Sequence, residues 1–138
     1  MRWGSTFQWA DSQSVKVHTM DAQHKQLFEI VNELDTAMRS CRGKEVGGDV
    51  LRRLIDATVN HFGAEEKLLE DGKYPHLEQH RAEHKALTDK LVLLKKDFDA
   101  GLSAITPALI KFLQNWLTGH IQDVDQKYGD FLNAQGVH

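Results

Sequence analysis

Histidine and carboxylate side chains recur at four-residue spacing where a helix would otherwise present apolar residues. The segment HFGAEE at 61–66 contains His61 and Glu65 at this spacing, and His80 and His84 repeat it further along the chain. Residues four apart lie one turn apart on the same face of an α-helix. Imidazole nitrogen and carboxylate oxygen, directed to the same side, are typical ligands of a transition metal.

Two more histidines interrupt apolar stripes of helical period. His24 stands one turn before Leu27 and Phe28, and His120 stands one turn after Trp116. A single histidine on an apolar face is more often an ordinary core residue with a hydrogen-bond partner than a metal ligand. Five inward histidines and one acid differ from that case, because each buried polar group without a partner costs about 1–3 kcal/mol. Such a cost would use much of a total stability of roughly 5–15 kcal/mol.

A bound metal would provide the missing partner for every one of these side chains. Imidazole and carboxylate ligands suit iron, zinc, copper or manganese better than calcium or magnesium. One ion takes about four to six ligands, whereas at least six side chains are available. The sequence therefore predicts two ions, with a carboxylate bridging them.

Four long segments of helical periodicity, behind an N-terminal arm, position these side chains. The predicted helices run from near Met20 to near Cys41, from after Asp49 to Asp71, from Leu77 to near Gly101, and from Ser103 or Thr106-Pro107 towards Phe131. The arm, residues 1–18, has no helical period and is predicted to pack across the helices as a loop. Short connections predict an all-α, antiparallel up-down-up-down four-helix bundle at 20–132, within a single domain at 1–138.

The antiparallel arrangement predicts that the polar residues meet at one level of the bundle. His24 lies early in the first helix, whereas His61 and Glu65 lie late in the second. The third and fourth helices repeat this relation, with His84 early and His120 late. Neighbouring antiparallel helices place early residues beside late ones, so all four helices contribute to one site.

Composition excludes several other classes of function. The chain has 138 residues, with 17 Lys plus Arg against 20 Asp plus Glu and a net charge of −3. This balance argues against nucleic acid or an anionic membrane as a partner. The sequence has no signal-peptide pattern and no apolar run of about 18 residues, so we expect a cytoplasmic protein. The single Cys41 excludes an intrachain disulfide, and no oligomer interface is evident, which favours a monomer.

Four segments, in order, resemble the motifs of the hemerythrin family, specifically its bacterial hemerythrin-like domains. They are MDAQHKQLF at 20–28, HFGAEE at 61–66, KYPHLEQHRAEH at 73–84 and WLTGHIQDVD at 116–125. The resemblance covers almost the whole chain. It implies two non-haem iron ions with a bridging oxo or hydroxo group. It also implies the ligands: His80, His84 and His120 for one iron, His24 and His61 for the other, and Glu65 and Asp125 between them.

Asp125 is a ligand that periodicity does not predict. It follows His120 by five residues, which corresponds to about 140° around an ideal helix at 100° per residue. Either the helix contains a π-type bulge, in which five-residue spacing returns to one face, or the two side chains reach the site from opposite flanks. The sequence leaves both alternatives open.

The resemblance implies reversible dioxygen binding, for transport, storage or sensing, rather than an enzyme activity. Dioxygen would bind at the iron with two histidines, in an apolar pocket that we expect to include Phe28, Phe62, Trp116 and Leu117. The alternative is a diiron enzyme with peroxidase-like or nitric-oxide or oxygen-detoxifying activity. Oxygen-activating bundles use carboxylate-rich Glu-x-x-His pairs, which this chain does not contain. A structural dizinc bundle is not excluded by the ligand types.

Overall fold

The computed structural model describes residues 7–40, 43–102 and 104–138, and over these ranges the chain forms helices and loops without a strand. The start of the arm, residues 1–6, and two residues at predicted helix boundaries, Cys41 and Ser103, lie outside the described residues. After a 3-10 turn at Asp11–Gln13, the helices are α1 (His18–Arg39), α2 (Gly43–Asp71), α3 (Leu77–Asp99), α4 (Pro107–His120) and α5 (Gln126–Asn133). A π-helical segment, Ile121–Asp125, joins α4 to α5. Along the described ranges, no helix has both the length and the apolar character that crossing a bilayer requires.

Contacts between the helices confirm the predicted antiparallel bundle. Arg53 of α2 donates to Glu33 of α1 at 2.6 Å, and the ammonium of Lys90 on α3 lies 4.1 Å from the ring centroid of Phe112 on α4. Early residues of one helix thus lie beside late residues of the next. The helix α4, the π segment and α5 together form the fourth rod of the bundle.

The start of α2 differs from the prediction. The helix begins at Gly43 rather than after Asp49, so Gly47 and Gly48 lie inside it. A Cβ atom at Gly47 would lie 2.5 Å from Cδ1 of Ile105, and one at Gly48 would lie 3.2 Å from the ring of Phe98. Both glycines therefore allow α3 and the following loop to pack closely against α2. The sequence suggested that the helix starts after these residues, because glycine is a poor helix former. In the structure, the close packing explains why glycine stands at both positions inside the helix.

The start of α4 agrees with one of the two predicted positions. The Thr106 side chain accepts a hydrogen bond from the backbone N–H of Leu109 at 3.1 Å, and Pro107 occupies the first turn. This threonine satisfies a donor that the helix leaves unpaired, and proline at this position is already in a helical conformation.

The described part of the N-terminal arm packs across the bundle, as predicted. The Asn32 side chain donates to the carbonyl oxygen of Phe7 at 2.8 Å, and the Phe7 ring stacks on Phe28 with 4.4 Å between centroids. At the other end of the arm, Gln126 donates to the carbonyl oxygen of Ser12 at 2.7 Å. The arm therefore connects α1 to α5.

The contact between the arm and α5 yields a stability prediction. A Cβ atom at Gly129 would overlap the carbonyl oxygen of Val15, and a backbone atom has little room to move. We expect Gly129→Ala to lower the free energy of unfolding by about 1–3 kcal/mol, the usual cost of overpacking. Urea denaturation followed by circular dichroism measures this change.

Gly63→Ala is the matched control, because a Cβ atom there would meet nothing within 4 Å. Alanine is favoured over glycine inside a helix by up to about 1 kcal/mol, so this variant should be as stable as the wild type or more so. Equal stability of the two variants would contradict the close packing at Gly129.

Candidate metal centre

All seven side chains predicted as ligands lie in one buried cluster. Their exposed fractions range from 0 % to 6 %. The cluster draws on α1, α2, α3, α4 and the last residue of the π segment. Its members are His24, His61, Glu65, His80, His84, His120 and Asp125.

The ligand atoms divide into two groups, and Glu65 belongs to both. In the first group, Glu65 lies with three histidines, which are His80, His84 and His120. In the second, it lies with two histidines and a second acid, which are His24, His61 and Asp125. Within each group, all ligand atoms lie within 4.8 Å of one another. We call these the three-histidine group and the two-histidine group.

Glu65 presents one carboxylate oxygen to each group. Its Oε1 atom lies 2.5 Å from Nε2 of His80 and 3.0 Å from Nε2 of His84. Its Oε2 atom lies 3.1 Å from Nε2 of His61 and 3.6 Å from Nε2 of His24. A carboxylate in this orientation has the geometry of a bridge between two cations.

Asp125 spans the two groups in the same way. Its Oδ1 atom lies 3.1 Å from Nε2 of His120 and 3.3 Å from Nε2 of His80, whereas its Oδ2 atom lies 3.3 Å from Nε2 of His24. The π-helical segment Ile121–Asp125 makes this possible, because the wider turn returns a five-residue spacing to one face. The structure thus distinguishes between the two alternatives that the sequence left open, in favour of the π-type bulge.

Several atoms in the cluster lack a hydrogen-bond partner. Among the described residues, these buried atoms are both ring nitrogens of His24, Nε2 of His84, Nε2 of His120 and Oδ1 of Asp125. Each such atom costs about 1–3 kcal/mol. The carboxylates of Glu65 and Asp125 lie 3.0–3.6 Å from some of these nitrogens and offset only part of that cost. Cations bound between the two groups would satisfy these atoms, so the donor set fits a metal centre.

The electrostatics of the cluster keep both acids ionised. Burial raises the pKa of Glu65, but the surrounding histidines outweigh burial and hold it well below its usual range. Burial lowers the pKa of His24, yet its contacts with Asp125 and Glu65 raise it to about 9. The Asp125 pKa is lowered against the effect of burial, chiefly by His120 and His24. Protons and metal ions therefore compete for the same ring nitrogens.

Side chains behind the ligands hold them in place, and the sequence did not single out two of these residues, Gln23 and Tyr128. The Gln23 carbonyl oxygen accepts a hydrogen bond from Nδ1 of His61 at 2.6 Å, and the hydroxyl of Tyr128 donates to Oε2 of Glu65 at 2.7 Å. Burial, followed by the charge of Glu65, raises the pKa of Tyr128 well above 10. The phenol therefore stays protonated and remains a donor.

Comparison with known proteins agrees with this geometry. The model of the hemerythrin HHE cation binding domain matches residues 15–132. The chain belongs to the hemerythrin family. It is 32 % identical over 126 residues to a bacteriohemerythrin of Stenotrophomonas maltophilia, covering 91 % of this chain and 81 % of that protein. It is 36 % identical over 114 residues to a bacteriohemerythrin of Methylococcus capsulatus, covering 83 % of this chain and 86 % of that protein.

A solved structure supports the same family at the level of the fold. A crystal structure of wild-type hemerythrin superposes with a TM-score of 0.88 at 32 % identity, and the match covers 93 % of this chain and 98 % of that one. The similarity therefore extends over most of the chain.

A small apolar cavity lies beside the two-histidine group of this hemerythrin. Its volume is about 20 Å³, and its wall includes His24, His61 and Asp125 of that group together with His120 of the three-histidine group. A site needs roughly 10–15 Å³ to hold one water-sized molecule. Apolar side chains form most of the remaining wall, among them Leu27, Val31, Leu54, Leu87, Leu113 and the predicted pocket residues Phe62, Trp116 and Leu117.

The fourth predicted pocket residue, Phe28, is buried but is not part of this wall. Its ring stacks on Phe7 of the arm instead. Two of the wall residues also fix ligand rings, since Phe62 stacks on His84 at 3.7 Å and Trp116 stacks on His120 at 4.4 Å between centroids. The roles of all four residues in dioxygen binding stay predictions.

The buried hydrogen bond from Tyr128 to Glu65 yields a prediction for the chelator-treated hemerythrin. We expect Tyr128→Phe to lower the free energy of unfolding by roughly 1.5–3 kcal/mol, because a hydrogen bond to a charged group is lost. Urea denaturation at neutral pH measures this change.

Tyr74→Phe is the control for loss of a hydroxyl, because the structure gives no hydrogen bond for the Tyr74 hydroxyl within the described residues. We expect its stability to stay within about 0.5 kcal/mol of the wild type. A Tyr128→Phe variant as stable as Tyr74→Phe would show that the hydroxyl of Tyr128 does not stabilise Glu65.

Proposed function

We propose that this hemerythrin binds dioxygen reversibly at two non-haem iron ions held inside the bundle. The observation that supports this function best is the unequal division of the ligands. One group contains three histidines and the other contains two, and the apolar cavity is lined by both histidines of the smaller group but by only His120 of the larger one. A metal with fewer protein ligands keeps a position for a small molecule.

The ligands of the proposed centre follow the two groups. His80, His84 and His120 would hold one iron, and His24 and His61 would hold the other. Glu65 and Asp125 would bridge the ions together with an oxo or hydroxo group. The carboxylate geometry supports the bridging roles, because each acid directs one oxygen to each histidine group.

The ligand types favour binding and release over cleavage of dioxygen. The iron ions would supply the electrons that dioxygen takes up when it binds and returns when it leaves. Anionic carboxylates stabilise highly oxidised iron, whereas five of the seven ligands here are neutral imidazoles when bound to metal. The apolar wall of the cavity admits a neutral diatomic molecule and excludes bulk water.

We further propose that residues 1–138 form one domain that acts as a monomer in the cytoplasm to carry, store or sense dioxygen. The net charge of −3 supports the absence of a nucleic-acid partner. The alternative is enzymatic turnover at the same centre, and the response of the reduced protein to dioxygen distinguishes it from reversible binding.

Metal content and colour test the proposed centre. Protein purified without added metal should contain two irons per chain, and exposure of the reduced form to dioxygen should produce a visible absorption band that degassing removes. His24→Ala should retain about one iron per chain, because it removes a ligand of the two-histidine group. His76→Ala is the matched control, since His76 is exposed and lies outside both groups.

Other outcomes of this experiment have definite meanings. Steady consumption of dioxygen in the presence of excess reductant, with no absorption band that degassing removes, would identify an enzyme. A colourless protein with two zinc ions would identify a structural site. Either result would overturn reversible dioxygen binding.

The cavity yields a further prediction, for Leu117→Phe. The larger ring would fill the space of about 20 Å³ beside the two-histidine group. Dioxygen would then have to share this space with the ring, and an overfilling cost of about 1–3 kcal/mol corresponds to a fall in dioxygen affinity of about 5- to 150-fold. Stopped-flow mixing of the reduced protein with dioxygen measures this change. Val92→Phe on the exposed side of α3, where Val92 is 51 % exposed, should bind dioxygen as the wild type does.

A further inference from the structure

The three-histidine group has negative charge behind its ligands. The Nδ1 atom of His84 donates to Oε2 of Glu66 at 2.7 Å. An ionised carboxylate only accepts hydrogen bonds, so Nδ1 carries the proton and the Nε2 lone pair faces the metal site. A second acid, Glu83, lies with Oε1 at 3.4 Å from Nδ1 of His120.

Among the described residues, the outer ring nitrogens of the two-histidine group have no carboxylate partner. Nδ1 of His61 donates to Oε1 of Gln23, which is a neutral amide. Nδ1 of His24 has no hydrogen-bond partner among the described residues. The two metal positions therefore differ in their outer environment as well as in their number of histidines.

Arg81 holds Glu66 from the solvent side. Its Nε atom lies 3.4 Å from Oε1 of Glu66, and its two terminal nitrogens lie 2.5 Å from Glu78 and 3.3 Å from Glu70. The side chains of Arg81 and Glu66 are 35 % and 25 % exposed. A continuous series of contacts thus leads from a surface guanidinium through Glu66 to His84.

We propose that Glu66 is a positioning residue for His84, and that Arg81 limits how much negative charge Glu66 lends to that ligand. Glu66 and Arg81 would then set the affinity of the three-histidine group for a metal ion and the reduction potential of the ion bound there. This inference rests on the proposed metal centre. Its physical basis is that a carboxylate bonded to a ligand imidazole fixes the ring and raises its basicity, and that loss of such a partner weakens metal binding about 10–100-fold.

Metal affinity separates the effect of charge from that of orientation. Glu66→Gln keeps an oxygen that can accept from Nδ1 of His84 but removes the charge, whereas Glu66→Ala removes both. We expect Co(II) binding to the chelator-treated protein to weaken about tenfold in Glu66→Gln and towards a hundredfold in Glu66→Ala. Competition with a coloured chelator at fixed pH measures the affinity, and the Co(II) absorption spectrum reports the ligand geometry.

The reduction potential of the iron-loaded protein provides the sharper test, because the two partners carry opposite charge. Glu66→Gln should raise the midpoint potential, since loss of an anion destabilises the more highly charged oxidised ions. Arg81→Gln should lower it, since loss of a cation leaves Glu66 more strongly negative. Arg81→Lys keeps the charge and should stay near the wild-type potential.

Lys85→Gln is the matched charge control on the same helix. Lys85 is 76 % exposed and pairs with Asp89 rather than with an acid that contacts a ligand. Removal of this cation should shift the potential much less than Arg81→Gln does.

The outcomes distinguish this inference from the function on which it rests. If the wild type binds two Co(II) ions and Glu66→Gln binds them equally well, the role of Glu66 is overturned and the metal centre stands. If Glu66→Gln and Arg81→Gln shift the potential in the same direction, the contact is merely structural and the proposed tuning by charge is overturned. If the wild type binds no pair of metal ions, the proposed function itself fails.

Discussion

The fold depends on one buried carboxylate, that of Glu65. This side chain is fully buried, and imidazoles from α1, α2 and α3 lie within 3.6 Å of its oxygens. Isolating a carboxylate from water costs several kcal/mol, so Glu65 is tolerated only where these rings and the hydroxyl of Tyr128 surround it. These contacts fix the positions of the helices along the bundle axis, because a shift of one helix would remove a partner from a buried charge.

The π segment extends this constraint to the fourth rod. A regular α-helix would turn Asp125 away from His120, whereas the wider turn at Ile121–Asp125 brings both to the cluster. The same segment sets the orientation of α5, because every residue after it is rotated relative to α4. Tyr128 consequently faces Glu65, and Gly129 faces the arm at Val15. One local departure from α-helical geometry thus positions a candidate ligand, its supporting hydroxyl and the contact with the arm.

Local spacing predicted most of the cluster, because helical periodicity is a property of neighbouring residues. His61 with Glu65, and His80 with His84, follow the period of the helix and are where the sequence placed them. The placement of Asp125 depended on whether the helix contains a π-type bulge, and the sequence did not determine this. Features set by tertiary contacts were not predicted. The close packing that makes Gly47 a helix residue is one example, and the orientation of Tyr128 is another.

The cavity wall is mostly apolar, whereas acidic side chains contact the outer nitrogens of two candidate ligands. This difference bears on how the site could bind a neutral molecule. Apart from the candidate ligands, the cavity wall presents mainly apolar groups such as Leu117. Glu66 and Glu83 are not part of that wall; they contact the outer ring nitrogens of His84 and His120, and Glu66 is paired with Arg81 at the surface. Electrostatic interactions are stronger in a low-dielectric interior than in water, so a further charge in the cavity wall, in addition to that of Asp125, would attract water into the pocket. Carboxylates on the outer ring nitrogens of the imidazoles avoid this conflict, because they would act on the proposed metal centre through His84 and His120. The fold could therefore adjust the charge at bound metal ions from its surface while most of the wall of the pocket beside His24 and His61 stays apolar.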